Sequence, residues 1–436
     1  MKNFPYLILL SSLAFNLYAL TLDEAVQTAL DNSTDVKSLE LSTQSAQSDI
    51  KDKKSANYGR VDFVASYNHY NLPRTLTPLT PASLGGGAAA IPTTQDLVNA
   101  GISYNVDLFT GMRDTRSIEI STLAHEMSKT QASLTKEQIV YNVKTLYMNI
   151  LAQEATLKAQ EEYVQALKKL HANIQLKEDL GQLSHLDALK SQADLSHASS
   201  QLAGIVSGLE ILKESLATIM MVESVEKLEG VAIDVKPLQE GNDANFLENT
   251  KKIKLAKLDI EKSIKQEELS SSAYYPQLGF NAYYGQSGGV NDETNAHSGE
   301  WDNAEVWQAG VDLKWNIFDF GKTSAQNQKS KIATMKSRLA ATKTSRELQA
   351  SLKEALSKIK LAVANYKSAQ NELLLMDETQ KIEQIRYDNG ATDINDLLYA
   401  KSRYVLAKSS VIASEYEYQN ALSYLDYILE KGVKND

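Results

Sequence analysis

The stretch GISYNVDLFTGMR, residues 101–113, returns as GVDLKWNIFDFGK, residues 310–322, an offset of 209 positions. The offset persists: Tyr163 falls on Glu372, Gln175 on Gln384, Asp179 on Asp388, Gly181 on Gly390 and Asp187 on Asp396. The chain is therefore two copies of one unit. Each copy is an alternating segment that runs into a very long helical segment with a single Gly break. A tandem repeat fixes architecture before any local reading does.

Proline placement frames the helices. After the N-terminal segment, prolines stand only at Pro73, Pro78, Pro81, Pro92, Pro237 and Pro276. The spans Thr93–Lys236 and Gln277–Asp436 are free of them and permit uninterrupted helix. Apolar residues recur there every seven positions, at Val143, Ile150, Leu157 and Val164, and again at Leu352, Ile359, Tyr366 and Leu373. Such a repeat means helices packed along a supercoiled seam. Gln153 and Gln160 also occupy core columns, so the seam is not a simple two-stranded zipper. From Arg113 to Gly181 the helix would run roughly 100 Å at 1.5 Å per residue. Gly181, in KEDLGQLSHLDAL, and Gly390, in RYDNGATDINDLL, suit the left-handed residue that ends a helix. Asp393 is placed to cap the next one, so each copy folds back as a helical hairpin with a polar tip. A shorter helix precedes each unit. The first opens with a Thr21-to-Glu24 capping box and runs to about Ala56; its counterpart covers about 244–272.

Four segments alternate apolar and polar residues: Val61–Tyr67, Ile102–Leu108, Leu278–Tyr284 and Trp307–Ile317. Alternation gives each strand one apolar face. Strands of this kind with flanking Trp and Tyr fit a transmembrane barrel, and equally a soluble sheet packed on one face. Trp307 and Trp315 stand at opposite ends of one row and read as membrane-interface anchors. Four strands are too few to close a membrane barrel, which needs about eight, so a barrel has to be shared between chains. The connecting stretches 71–95 and 286–302 are polar and Gly-rich, without the makings of a core.

Composition narrows the function. The 436 residues carry a formal charge of −10 with pI near 5.3, which argues against a general nucleic-acid partner. The apolar run from Tyr6 to Leu17, after Lys2 and before Ala19, reads as a secretory signal peptide over 1–19. There is no cysteine, so neither disulfides nor a lipidated cysteine enter. The six histidines lack the i, i+3 or i, i+4 spacing of a helical metal pair. Gly85–Gly87 lacks the context of a phosphate loop. No nucleophile–base constellation is present. The expectation is a non-enzyme without metal or cofactor.

The leader, the duplicated strand–helix unit, the LFTGMR and IFDFGK turns and the RYDNGATDINDLL tip together resemble the TolC-like outer-membrane efflux proteins. The resemblance spans the whole mature chain. It implies a mainly α fold with a membrane β-barrel part. Three chains would share a 12-stranded barrel, and long hairpins would form a periplasmic tunnel. It implies division into a signal peptide (1–19), a first repeat (20–220), an equatorial linker (221–243), a second repeat (244–429) and a tail (430–436). It implies a homotrimer in outer-membrane lipid that serves as passive exit duct for a periplasmic adaptor and an inner-membrane transporter, in a tripartite efflux or type I secretion system. At the tips, Asp396 matches an acidic ring around the pore entrance. Tyr387 and Asp187 match links that hold the entrance shut. Tyr399 stands where some members carry a second acidic ring, and Thr392 where an Arg of a second link is expected. Read without the resemblance, Asp393 is an N-cap, Asp396 and Asp187 are first-turn acids and Tyr387 is an interface aromatic. The rival function is a soluble periplasmic coiled-coil scaffold or adaptor.

Overall fold

The computed structural model describes residues 19–76, 79–85, 91–237, 247–292 and 299–433. The leader up to residue 18, Gly86, Gly87, His297, linker residues 238–243, the first three residues of the second repeat and tail residues 434–436 lie outside the described residues.

The two longest helices keep the repeat to the residue. Helices α3 (Arg113–Asp179) and α6 (Lys322–Asp388) each have 67 residues. The returning helices α4 (His185–Met220) and α7 (Ile394–Ile428) have 36 and 35. The short helices differ more from expectation. The first is two helices, α1 (Leu22–Asn32) and α2 (Thr34–Ser55), in place of one. Ser33 breaks it: its Oγ accepts from the Val36 amide (3.2 Å), and the Asn32 amide group donates to the Met220 carbonyl (3.0 Å). A hydroxyl that caps a helix competes with continuing one. The Thr21 capping box is present at the start of α1. The counterpart helix, α5, spans Lys251–Ser271.

The sheet comprises β1 (Arg60–Thr75), β2 (Thr93–Phe109), β3 (Gln277–Val290) and β4 (Trp301–Lys314). They are antiparallel neighbours in chain order. Strand β4 starts six residues before the alternating run and stops before Trp315. Trp307 therefore lies in mid-strand and not at an end, and Trp315 follows the strand, its indole N–H donating to the Tyr274 carbonyl (3.1 Å). The shift arises because Trp301–Val306 pairs with Gly285–Val290. Alternation is weak along that glycine- and polar-rich stretch, so the pairing partner extends the strand.

Contacts divide the chain into two compact units that cut across the repeats. One holds residues 1–38, 131–253 and 344–436, the other residues 39–130 and 254–343. The first contains the hydrophobic cores. Val143, Ile150, Tyr147 and Met148 of α3 bury against Leu209, Leu216 and Met220 of α4 and Ala25 and Ala29 of α1. Leu352, Ala355 and Ile359 of α6 bury with Tyr418, Ala421 and Leu425 of α7. The glutamines in the seam are satisfied. Gln160 and Gln153 donate to the Ala198 and Ile205 carbonyls across the hairpin (3.0 and 3.3 Å), which lets polar residues occupy core columns.

This unit also ties distant segments together. Leu20 bridges in parallel to Leu228, and the Tyr147 hydroxyl, its pKa pushed up to about 12 by burial, lies 2.7 Å from both the Leu20 and Glu229 carbonyl oxygens and shares its single proton between them. Glu137 of α3 is 1% exposed. It accepts from the Lys251 ammonium (3.1 Å) and from the Gly432 and Val433 amides (2.9 and 3.1 Å). One buried carboxylate thus fastens the start of α5 and the segment after α7 to the first long helix. The second unit holds the sheet, most of α2 and α5, and the beginnings of α3 and α6.

Candidate functional site: an apolar sheet face and two polar hairpin tips

Register turns the alternation of single strands into a surface. Phe63 pairs with Ile102, Ile102 with Tyr284 and Tyr284 with Trp307, so one apolar row crosses all four strands. These four side chains are 75, 54, 59 and 71% exposed. Rows on either side add Val61, Tyr67, Val311 and Leu313, also exposed. The alternate residues form a polar face with Asp62, Ser103, Asn281 and Asp312, where Asn281 donates to Asp312. A large exposed apolar patch opposite a polar one marks a surface that meets something other than water. Strands β1 and β4 are open edges, each with a row of backbone groups that no described strand of this chain pairs.

The tips are built by end-capping chemistry. Gly181 and Gly390 have φ of +70° and +68°. After them the Gln182 amide reaches the Lys177 carbonyl (2.8 Å) and the Ala391 amide reaches Arg386 (2.7 Å), closing each helix with the left-handed turn that Gly favours. The next helix is capped differently in each copy. Ser184 caps α4 in a box with Asp187, its hydroxyl and amide donating to the Asp187 carboxylate (2.7 and 3.3 Å). Those bonds, the hydroxyl's first, hold Asp187 below the usual carboxylate range. Asp393 caps α7 and accepts from the Asn395 and Asp396 amides (2.7 and 3.3 Å).

Asp187 and Asp396 are equivalent positions, yet only Asp187 is committed to a capping box. Asp396 instead accepts from the Thr392 hydroxyl (2.6 Å). It faces a groove of about 460 Å³ between α6 and α7, with Glu383, Arg386, Tyr399 and Arg403. Arg386 pairs with Glu383 (2.7 Å), and Arg403 donates to the Tyr399 hydroxyl (3.2 Å). Tyr387 is exposed, and its hydroxyl has no hydrogen-bond partner among the described residues. Tyr387 and Asp187 are not brought together within this chain by any hydrogen bond. The two arginines of the groove escaped sequence reasoning, although Arg386 lies ten residues before Asp396 and Arg403 seven after it. Among the described residues no group of acids and histidines is arranged to hold a metal ion. No described helix is long and apolar enough to cross a membrane.

The chain thus carries a sheet with one apolar face and two open edges, and two helices of 67 residues each. The chain belongs to the outer membrane efflux protein family, which it matches over residues 25–220 and 244–429. Solved structures share the fold. The open-state MtrE outer membrane channel of Neisseria gonorrhoeae superposes with a TM-score of 0.78 at 16% identity, over 95% of this chain and 90% of that one. The CmeC outer membrane channel of Campylobacter jejuni gives 0.77 at 16%, over 94% and 86%. The outer membrane protein VceC of Vibrio cholerae gives 0.74 at 13%, over 94% and 95%. Nodulation protein T of Rhizobium leguminosarum bv. trifolii is 22% identical over 343 residues, 76% of this chain and 70% of that protein.

Proposed function

We propose that three copies close one 12-stranded barrel in outer-membrane lipid, and that their hairpins form a tunnel in the periplasm. The assembly is the passive exit duct of a tripartite efflux or type I secretion system, coupled to a periplasmic adaptor and an inner-membrane transporter. The apolar row Phe63–Ile102–Tyr284–Trp307 carries this reading, because it crosses every strand and stays exposed. A soluble scaffold would need that row covered. Both open edges need partners, and a barrel removes edges altogether. At the tips, Asp396 rings the entrance, and Tyr387 with Asp187 of a neighbouring hairpin holds it shut. Trp315, beside the strand ends, anchors one membrane interface, and Trp307 contacts lipid from mid-strand.

The test is fractionation and mass in detergent, with Phe63→Lys as the probing variant. A charged side chain on the lipid face costs about 2–4 kcal/mol near the midplane. The expected result is a membrane-bound trimer for the natural chain, with poor insertion of Phe63→Lys. Release of the natural chain with the soluble periplasm would overturn the duct.

A further inference from the structure

The chain as a whole is acidic, with a formal charge of −10, yet the opening of α6 is strongly basic. From Lys322 to Arg346 every charged residue is a lysine or an arginine. The equivalent stretch of α3 mixes both signs, and its arginines are neutralised. Arg113 pairs with Asp107 and Asp114 (3.0 and 3.3 Å), and Arg116 with Glu119 and Glu268 (2.7 and 2.9 Å). On α6, Lys329, Lys331, Lys336 and Arg338 are exposed, and none forms an ion pair among the described residues.

Helical phase sorts these residues into faces. One flank of α6 packs on α5. There the Thr334 hydroxyl donates to the Ser263 carbonyl (3.3 Å), the Ser337 and Ser263 hydroxyls bond (2.8 Å), and the Asn327 amide group donates to the Ser271 hydroxyl (3.0 Å). The opposite flank carries Ala325, Ile332 and Leu339, all exposed. In a tunnel of helices, two flanks of each helix meet neighbours, one remaining face lines the bore and the other looks outward. At 100° per residue, Lys331 and Arg338 stand about 70° to one side of the α5 flank, and the column Lys322, Lys329, Lys336 and Lys343 about 130° to the other. Both remaining faces of α6 are therefore basic, and the bore receives one of them whichever way the helix is turned. The column spans about 32 Å at 1.5 Å per residue. Its middle members, Lys329 and Lys336, border a groove of about 480 Å³ with Ala325, Gln328, Ile332 and Ala333.

The two copies differ here in kind. The column's equivalents on α3 are Arg113, Ile120, Met127 and Leu134, and those of Lys331 and Arg338 are Thr122 and Lys129. Building a helix of this length does not ask for a lysine column, because the first copy makes the same 67 residues of helix with apolar side chains at three of the four places.

We infer that the part of α6 next to the sheet forms an anion-binding band in the bore, and that the solutes passing through the duct include molecules with several negative charges. This rests on the duct reading and specifies its cargo. Successive lysines of the column stand about 10.5 Å apart, close to the screening length of about 8–10 Å at physiological salt. Their fields overlap into a continuous strip. The assembly brings three such strips round one bore, whose low-dielectric wall focuses the field and raises the local concentration of anions. Lysine ammonium groups act as point charges, so the band selects by the number of negative charges and not by the shape of the acid group. Asp396, at the far end of the hairpin, has the opposite sign and repels an anion that would run back through the entrance.

The test is single-channel recording in planar bilayers, with linear inorganic polyphosphate added on the side of the barrel mouth. The natural full-length chain is compared with Lys329→Gln/Lys336→Gln and with Lys331→Gln/Arg338→Gln; all four positions are exposed, so folding is spared. Block of the natural channel should weaken more than about tenfold between about 0.1 and 0.5 M salt, because each phosphate contact releases a counterion. One pair of substitutions should weaken block at least about tenfold and the other less than about twofold. The pair that acts marks the face turned to the bore. A natural channel that conducts and is not blocked, or block that survives both pairs, overturns the band and leaves the duct standing. Equal losses in both pairs also overturn it, because they mark diffuse attraction to net charge. A monomeric mass in detergent with no channel activity removes the duct and the band together.

Discussion

Replacing Glu137 should loosen the chain at a point 295 residues away. The side chain is almost wholly buried, and its carboxylate accepts from one ammonium and two backbone amides. Hydrogen bonds to a charged group contribute about 1.5–3 kcal/mol each, and breaking a buried pair from one side costs about 3–5 kcal/mol. The amides of Gly432 and Val433 can recover water when released, as can Lys251, whose side chain is 28% exposed. The lower end, about 3 kcal/mol, is therefore expected for Glu137→Ala. At about 1.4 kcal/mol per tenfold, that is roughly a hundredfold rise in local opening. Hydrogen exchange at the Gly432 and Val433 amides reads it directly. Glu137→Gln keeps an acceptor for the amides and should lose less. Lys251→Met leaves the carboxylate buried without its counter-charge and should cost as much as Glu137→Ala. Adding Glu137→Gln to Lys251→Met should then restore part of the loss. Unchanged exchange at Gly432 and Val433 in Glu137→Ala, or a double variant no better than Lys251→Met alone, would refute the clasp.

Three further outcomes are expected. Burial holds the Asp426 carboxyl above the usual carboxylate range. Its contribution to folding is therefore fully present below the unfolded value of 3.8 and is lost as pH rises through the higher folded value. Asp426→Asn should raise the denaturation midpoint at neutral pH and leave it unchanged near pH 3.5; an equal gain at both would contradict this. Asp396→Ala should lower cation selectivity and remove block by a trivalent cation in planar-bilayer recordings, because a ring of like charges recruits cations. Asp393→Asn keeps an N-cap and should preserve both; the opposite pattern would move the ring to Asp393. Tyr387→Phe with Asp187→Ala should raise single-channel conductance, and no change would count against the closing link.

Much of this architecture was legible because one mechanism wrote it twice. Proline-free spans and a seven-residue repeat set α3 and α6, and the single glycines set the tips. Other features depend on tertiary partners that local pattern does not contain. The break at Ser33 depends on a hydroxyl cap and on the Asn32 bond to Met220. Strand β4 reaches Trp301 because the stretch around Gly288 pairs with it, where alternation gave no signal. The groove beside Asp396 gathers Arg386 and Arg403 from two helices joined by the tip. The kinship of β1 with β3 was hidden because the pairs Arg60↔Asn105 and Gln277↔Lys314 enclose connections that differ by eight residues.

The equality of α3 and α6 constrains how this chain can change in length over evolution. One inserted residue turns everything beyond it by about 100° and would pull the seam off its face. Seven residues restore the face but advance a tip by about 10.5 Å, so the return helix must gain seven as well. A chain whose two tips act at one entrance must make the same change in its other copy. On the proposed duct, a lengthening that keeps both tips level takes four matched heptads, one in each of α3, α4, α6 and α7.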